Sequence, residues 1–341
     1  MNIATDVELG FVRHREPSDD DDVNRKQFLQ TTALTVGSGA VLANAAPSDP
    51  EMIEAMAGPT THYRRMESSV PSDRLFPAVE AQLALVAGVV RDRFRTSSGF
   101  RVLSEVAGLS AWLAVDRADD STARKRYGEA ISFAERTHHP LLAAYMTASL
   151  GHYAVEAGDG RAGLAMLRTA AGQMGTDVPD SAGAWLASLL AVAHAATGDR
   201  TSALASLRRA ERLANRQRGE PRWPWVFVFD GPKAARYEAS TLARLGEHRM
   251  AREAFAVAEP TLIAAKPRAL AHVEHAHALA RSGDIEGGCA LASDALAVGL
   301  TYRSERITRL ARNFRASLPT QTVEARPLDD ALATLYRRDD L

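Results

Sequence analysis

Five copies of one spaced set of small and apolar residues run along this chain, and they restrict its fold more than any other feature. The copies align on Ala118, Gly158, Gly198, Gly246 and Gly283, which lie 40, 40, 48 and 37 residues apart. One residue after each anchor stands an acid: Asp119, Asp159, Asp199, Glu247 and Asp284. Small residues recur at three further offsets. Seven before the anchor come Ala111, Gly151, Ala191, Ala239 and Ala276; five after it, Ala123, Gly163, Ala203, Ala251 and Gly288; twelve after it, Ala130, Ala170, Ala210, Ala258 and Ala295. Nine after the anchor stand Tyr127, Leu167, Leu207, Phe255 and Ala292. Repeats of this length are typical of helical arrays.

The pattern predicts a helix, a tight turn and a second helix packed on the first. A glycine at a helix end can take the left-handed conformation that stops the helix. The acid that follows can cap the next helix and meets its positive end. Small residues on both helices let the axes approach, and bulky neighbours fill the space between copies. A single hairpin cannot bury its own apolar face, so the copies must stack.

These offsets resemble the tetratricopeptide repeat, over roughly residues 98–300. The small positions match that family's closely packed sites, and the residues nine after the anchor match its bulky slot. The copies lack the family's early tryptophan and closing proline, and exceed its period of about 34 residues. The resemblance implies an all-α, right-handed α-solenoid of tetratricopeptide-like helix pairs. Its copies would span about 98–136, 138–175, 179–216, 231–264 and 267–300, with capping helices over 302–316 and 328–336. Residues 59–341 would form the array, and 1–58 a largely disordered linker with a signal-like segment.

Composition narrows the function. Lys and Arg number 41 and Asp and Glu 42, a net charge of −1, which argues against binding nucleic acid through overall charge. A single cysteine, Cys289, excludes a disulfide framework within the chain and is expected to be a buried packing thiol. No apolar stretch reaches membrane-spanning length.

Before the array, Asn24-Arg25-Lys26-Gln27-Phe28-Leu29 leads into the apolar stretch 31–46, with Ala43-Asn44-Ala45 like a cleavage site. This resembles a twin-arginine export signal, except that Lys26 replaces the second arginine and Asp19–Asp22 stand just upstream. The preferred reading is a linker helix, and a twin-arginine-exported scaffold is the alternative. Together with Glu8-Leu9-Gly10-Phe11-Val12, the same segment resembles the junction in actinobacterial Xre-type helix-turn-helix transcriptional regulators, whose tetratricopeptide-like sensor region follows their DNA-binding domain. Tyr63-Arg64-Arg65-Met66-Glu67, Val70-Pro71, and Glu220-Pro221 through Trp225, Phe229 and Asp230 carry the same likeness. Only about ten residues precede Phe11, too few for a recognition helix and its supports. Either the chain starts at an internal methionine or it is a sensor paralogue that has lost its DNA reader, and the expectation for this chain alone is a cytoplasmic sensor module: no enzyme, no cofactor, no metal, no membrane and no direct DNA contact. Its partner would be a peptide or protein, and a second copy of the chain is admissible.

Other motifs are weighed against plainer readings. Gly158–Gly163 fits a GxGxxG string but lies between helices, not after a strand. His272, His275 and His277 share one helix with Glu274, yet lack the HExxH arrangement, so packing histidines are expected. Trp223–Phe229 explains the 48-residue spacing as an insertion whose rings plug a junction. Finally, positions thirteen, ten and six before the anchors form one stripe at helical spacing, which the tetratricopeptide resemblance places on the concave face. It comprises Trp112, Tyr145, His152, Trp185, Lys233, Arg236, Ser240 and His277, an expected groove for a peptide with an acidic group. Trp185 is the expected aromatic anchor, with Lys233 and Arg236 meeting the acid.

Overall fold

The computed structural model describes residues 48–175, 178–216, 229 and 231–338, and every regular element among them is helical. The chain divides into units 1–51 and 52–341. Of the first unit, 48–51 are described: the Ser48 backbone N–H and hydroxyl both donate to the Glu51 carboxylate, at 2.7 and 2.8 Å. The first helix, α1 (Asp49–Met66), starts there and runs through Pro59, so the expected boundary at 58/59 falls inside a helix. Acids Asp49 and Glu51 in its first turn and Arg64 and Arg65 in its last match the helix dipole at both ends. The signal-like segment 24–46 lies outside the described residues.

Helix α2 (Ser72–Asp92) precedes five hairpins. These pair α3 (Ser97–Asp116) with α4 (Asp120–Glu135), α5 (Pro140–Glu156) with α6 (Gly160–Gln173), and α7 (Asp180–Ala196) with α8 (Arg200–Arg216). They continue with α9 (Gly231–Arg244) on α10 (His248–Ala258) and α11 (Ala265–Arg281) on α12 (Ile285–Thr301), then α13 (Glu305–Ala316) and α14 (Arg326–Arg338). Each hairpin also packs on the next.

The five anchors occupy the five hairpin turns, and all five have positive φ: 55° at Ala118 and 80° to 97° at the four glycines. The following acid caps the second helix in four copies. Asp119, Asp159, Asp199 and Asp284 accept from the backbone N–H of Thr122, Ala162, Ser202 and Gly287 at 2.9–3.0 Å. Glu247, one methylene longer, makes no cap and pairs instead with Arg200. The small residues lie at the helix–helix contacts, where Ala111, Ala123, Ala130, Ala191, Ala239 and Ala251 are fully buried. Helices α5 and α6 approach closely. A Cβ added at Gly163 would stand 2.6 Å from the Gly151 carbonyl oxygen, so the last glycine of the GxGxxG string serves packing.

The hairpins do not extend away from their starting point. One apolar core runs from α1 through α7, and a second joins α11 to α14. Helix α13 returns to pack on α3, bringing the end of the array back to its beginning. The seam is ionic. Asp116 closes α3 and is 5% exposed; it accepts from Ser72, from Ser304 Oγ at 2.5 Å and from Lys266 Nζ at 2.9 Å. Lys266 also donates to Ser72 Oγ at 3.0 Å, and both Ser72 and Ser304 are fully buried. Further along, Arg306 of α13 donates to both oxygens of Glu156 at the end of α5, at 2.5 and 2.6 Å. Arg303–Asp73 and Arg309–Asp120 pairs flank the seam on its exposed side.

Candidate binding cavities

Five of the eight stripe residues line one cavity of about 260 Å³: Trp112, Tyr145, His152, Trp185 and Arg236. Their common register on α3, α5, α7 and α9 points them to the inside of the array. Ser240 and His277 line a second cavity instead, and Lys233 lines neither. The expected continuous groove is therefore divided. The divider is Arg306 with Glu156: α13 folds back and inserts the guanidinium, which lies 5.0 Å from the Trp112 ring and borders both cavities.

The first cavity has aromatic walls. Tyr145 and Trp185 rings lie 5.2 Å apart, and Tyr237 meets His152 at 6.0 Å and Phe229 at 6.0 Å. Trp185 is only 9% exposed and belongs to the main core, so it is a wall rather than a surface anchor. Phe229, from the expected aromatic insertion, is buried in the same core; Trp223–Val228 lie outside the described residues.

Three guanidinium groups face this space. Arg306 is committed to Glu156. Arg64 donates to the Tyr145 hydroxyl at 3.4 Å and the Glu105 carbonyl at 3.3 Å, both uncharged acceptors. Arg236 lies 5.9 Å from the Tyr237 ring and makes no hydrogen bond or ion pair among the described residues. Among the described residues, the carboxyl that lines this cavity is that of Glu67, which accepts from the Trp112 indole N–H at 3.0 Å. Burial pushes the Glu67 carboxyl above its ordinary value, against the indole hydrogen bond and the charges of Lys266 and Arg306.

Charge fixes the protonation of the dividing pair. Burial alone would raise the Glu156 carboxyl, but Arg306 and His152 outweigh it and hold it at about 2. Burial depresses His152 to about 4; Glu156 pulls the other way, and Arg306 and Arg236 add to the depression. At neutral pH, His152 is therefore uncharged beside an ionised Glu156, its Nε2 3.5 Å from the carboxylate.

Three of these groups were not singled out as site residues by sequence reasoning: Arg64, Glu67 and Arg306. Arg64 and Glu67 stand within the Tyr63–Glu67 motif that carried the regulator resemblance, so their signal was present. Arg306 sits one turn from Leu310 within the amphipathic pattern of α13, and a charge in an apolar stripe is the mark of a buried ion pair. The histidine cluster disperses. His275 Nδ1 meets Glu259 at 2.8 Å and its ring stacks on Phe255, while His277 turns its ring to Phe314. Among the described residues no group of three metal-ligating side chains converges.

No protein-family model matches this chain, and none of the curated proteins is significantly similar to it.

Proposed function

We propose that this chain is a non-catalytic, tetratricopeptide-like right-handed α-solenoid that acts as a cytoplasmic sensor. Its relationship would be to the sensor regions of Xre-type transcriptional regulators, and its signal a peptide or protein segment with an acidic group. The observation that carries the binding half is the first cavity. Two guanidinium groups without a carboxylate partner among the described residues, Arg64 and Arg236, face a space walled by Trp112, Tyr145, Trp185 and Tyr237. Guanidinium forks match carboxylates, and their attraction strengthens where aromatic walls exclude water. The cavity volume, about 260 Å³, suits one acidic side chain or chain end, not an extended peptide along its whole length.

A library of short peptides with acidic and amidated ends, selected on the full chain, tests this reading. Retained peptides should share a free acidic end or acidic side chain beside an apolar residue. Arg236→Gln, a half-buried change outside the core, should weaken them at least tenfold while the far-ultraviolet circular dichroism is unchanged. Selection without acidic enrichment, or equal retention by Arg236→Gln, would sink it. Trp185→Ala is a poor probe, because the ring belongs to the core.

A further inference from the structure

The second cavity, also about 260 Å³, lies on the other side of Arg306 and Glu156, between α9, α11 and α13. The repeat register explains its charge. Two residues before each anchor stand Asp116, Glu156, Ala196, Arg244 and Arg281. In the first two copies this position is an acid, and each acid is met across the seam by a cation, Lys266 or Arg306. In the last two copies it is an arginine. Arg244 closes α9 and Arg281 closes α11; both are exposed at the cavity rim, and neither makes a hydrogen bond or ion pair among the described residues. Arg309 adds a third charge, whose one ion pair among the described residues is a 3.5 Å contact with Asp120.

Two lining carboxylates oppose these charges. Glu156 is occupied by Arg306, which leaves Glu274, whose Oε2 is buried without a partner among the described residues. Positive charge is therefore in excess. The neighbouring histidines register it. Burial, then the charges of Arg281 and Arg244, depress His277 to about 4, and burial with Arg281 also lowers His248, against the opposite pull of Glu247. Behind the arginines the wall is apolar: Val115, Val273 and Leu310, with Ser240 offering a hydroxyl. A helix dipole favours a cation at a C-terminus, which accounts for an arginine at either position alone. It does not account for two bordering one largely apolar cavity whose lining arginines, Arg244, Arg281, Arg306 and Arg309, outnumber its carboxylates, Glu156 and Glu274.

We propose that this second cavity binds a small amphipathic oxyanion: a phosphate or carboxylate head held between Arg244 and Arg281, on a single ring or short chain packed against Val115, Val273 and Leu310. The proposal does not rest on the first cavity or its ligand. At about 260 Å³ the pocket lies just below the usual range for ligand sites, roughly 300–1,000 Å³, which limits the apolar body to about one ring.

Calorimetric titration of the full chain with phenyl phosphate and with benzoate tests it, with inorganic phosphate and benzyl alcohol as the separated halves. At least one of the two ring-bearing anions should bind once per chain, and at least tenfold more tightly than either half. Which of them binds identifies the head group. Arg244→Gln and Arg281→Gln, both at exposed positions, should each weaken that binding at least tenfold with melting temperature unchanged. Arg236→Gln, in the first cavity, should leave it as it was. The NMR signal of the His277 ring should move on titration and mark the location. Absence of saturable binding by both ring-bearing anions, or equal binding by both glutamine variants and the wild type, would overturn the proposal.

Discussion

The hairpin turns and the seam hold this chain together by opposite means. A turn is local: Gly198 reverses the chain at φ 80°, and Asp199 caps the next helix three residues on. The seam is remote: Ser72, Asp116, Lys266 and Ser304 come from four helices or their caps and converge on one buried carboxylate. Turns work by relieving backbone cost, residue by residue. The seam works by desolvating charges that are tolerable only while all partners are present. So a turn should fail gradually and the seam abruptly.

The largest effect should come from breaking the seam with one side chain. Asp116→Ala leaves Lys266, 4% exposed, with a serine as its remaining described partner. Removing one member of a buried pair costs about 3–5 kcal/mol. Asp199→Ala, which removes a cap, should cost about 1 kcal/mol. Urea melts of the two variants measure the contrast, and equal midpoints would mean that the seam is solvated. The sharper form is the pair Asp116→Leu with Lys266→Met, which should recover most of the loss because no orphaned charge remains.

Acid should loosen the seam region before the turns. The folded state holds His152 at about 4, below its ordinary value of 6.5, so the unfolded chain takes up a proton first as pH falls. Stability is thus full above about pH 6.5 and drops toward pH 4, by about 3 kcal/mol for this group. His277 acts with the same sign over the same window. Glu156, held at about 2 against 4.5, adds a further loss between those values. His152→Gln should flatten the upper part of the stability curve. A curve of unchanged slope between pH 6.5 and 4 would remove His152 from the account.

What was legible in the sequence divides along the same line. The turns announce themselves because φ, capping and close packing each demand a particular residue at a fixed offset: Gly158, then Asp159, then Gly163 against Gly151. The stripe was legible as far as register goes: of its eight residues, Trp112, Tyr145, His152, Trp185 and Arg236 line one space, and Lys233, Ser240 and His277 do not. What divides that space was not, because Arg306 stands 150 residues from Glu156 and no periodicity links them. Half of the seam did leave a trace. Asp116 and Glu156 are the last residues of their helices, where the dipole disfavours an acid. An acid so placed calls for a distant cation, but the sequence does not say which one.

The smallest effect tests the turns themselves. Four anchors are glycine and one is alanine, yet all five share the left-handed conformation. An L-residue with a Cβ pays roughly 1 kcal/mol there, and glycine does not. Ala118 therefore carries strain that its repeat partners avoid. Against this, glycine gains freedom in the unfolded chain, which removes part of the benefit. Ala118→Gly should stabilise the protein by a few tenths to about 1 kcal/mol. Gly198→Ala, with no heavy atom within 4 Å of the added Cβ, should cost about as much through backbone strain alone. Opposite signs at equivalent positions would establish that the turn conformation, rather than the residue type, is what the array requires. If both variants destabilise, Ala118 is held by its own packing instead, and the first hairpin turn does not belong with the other four.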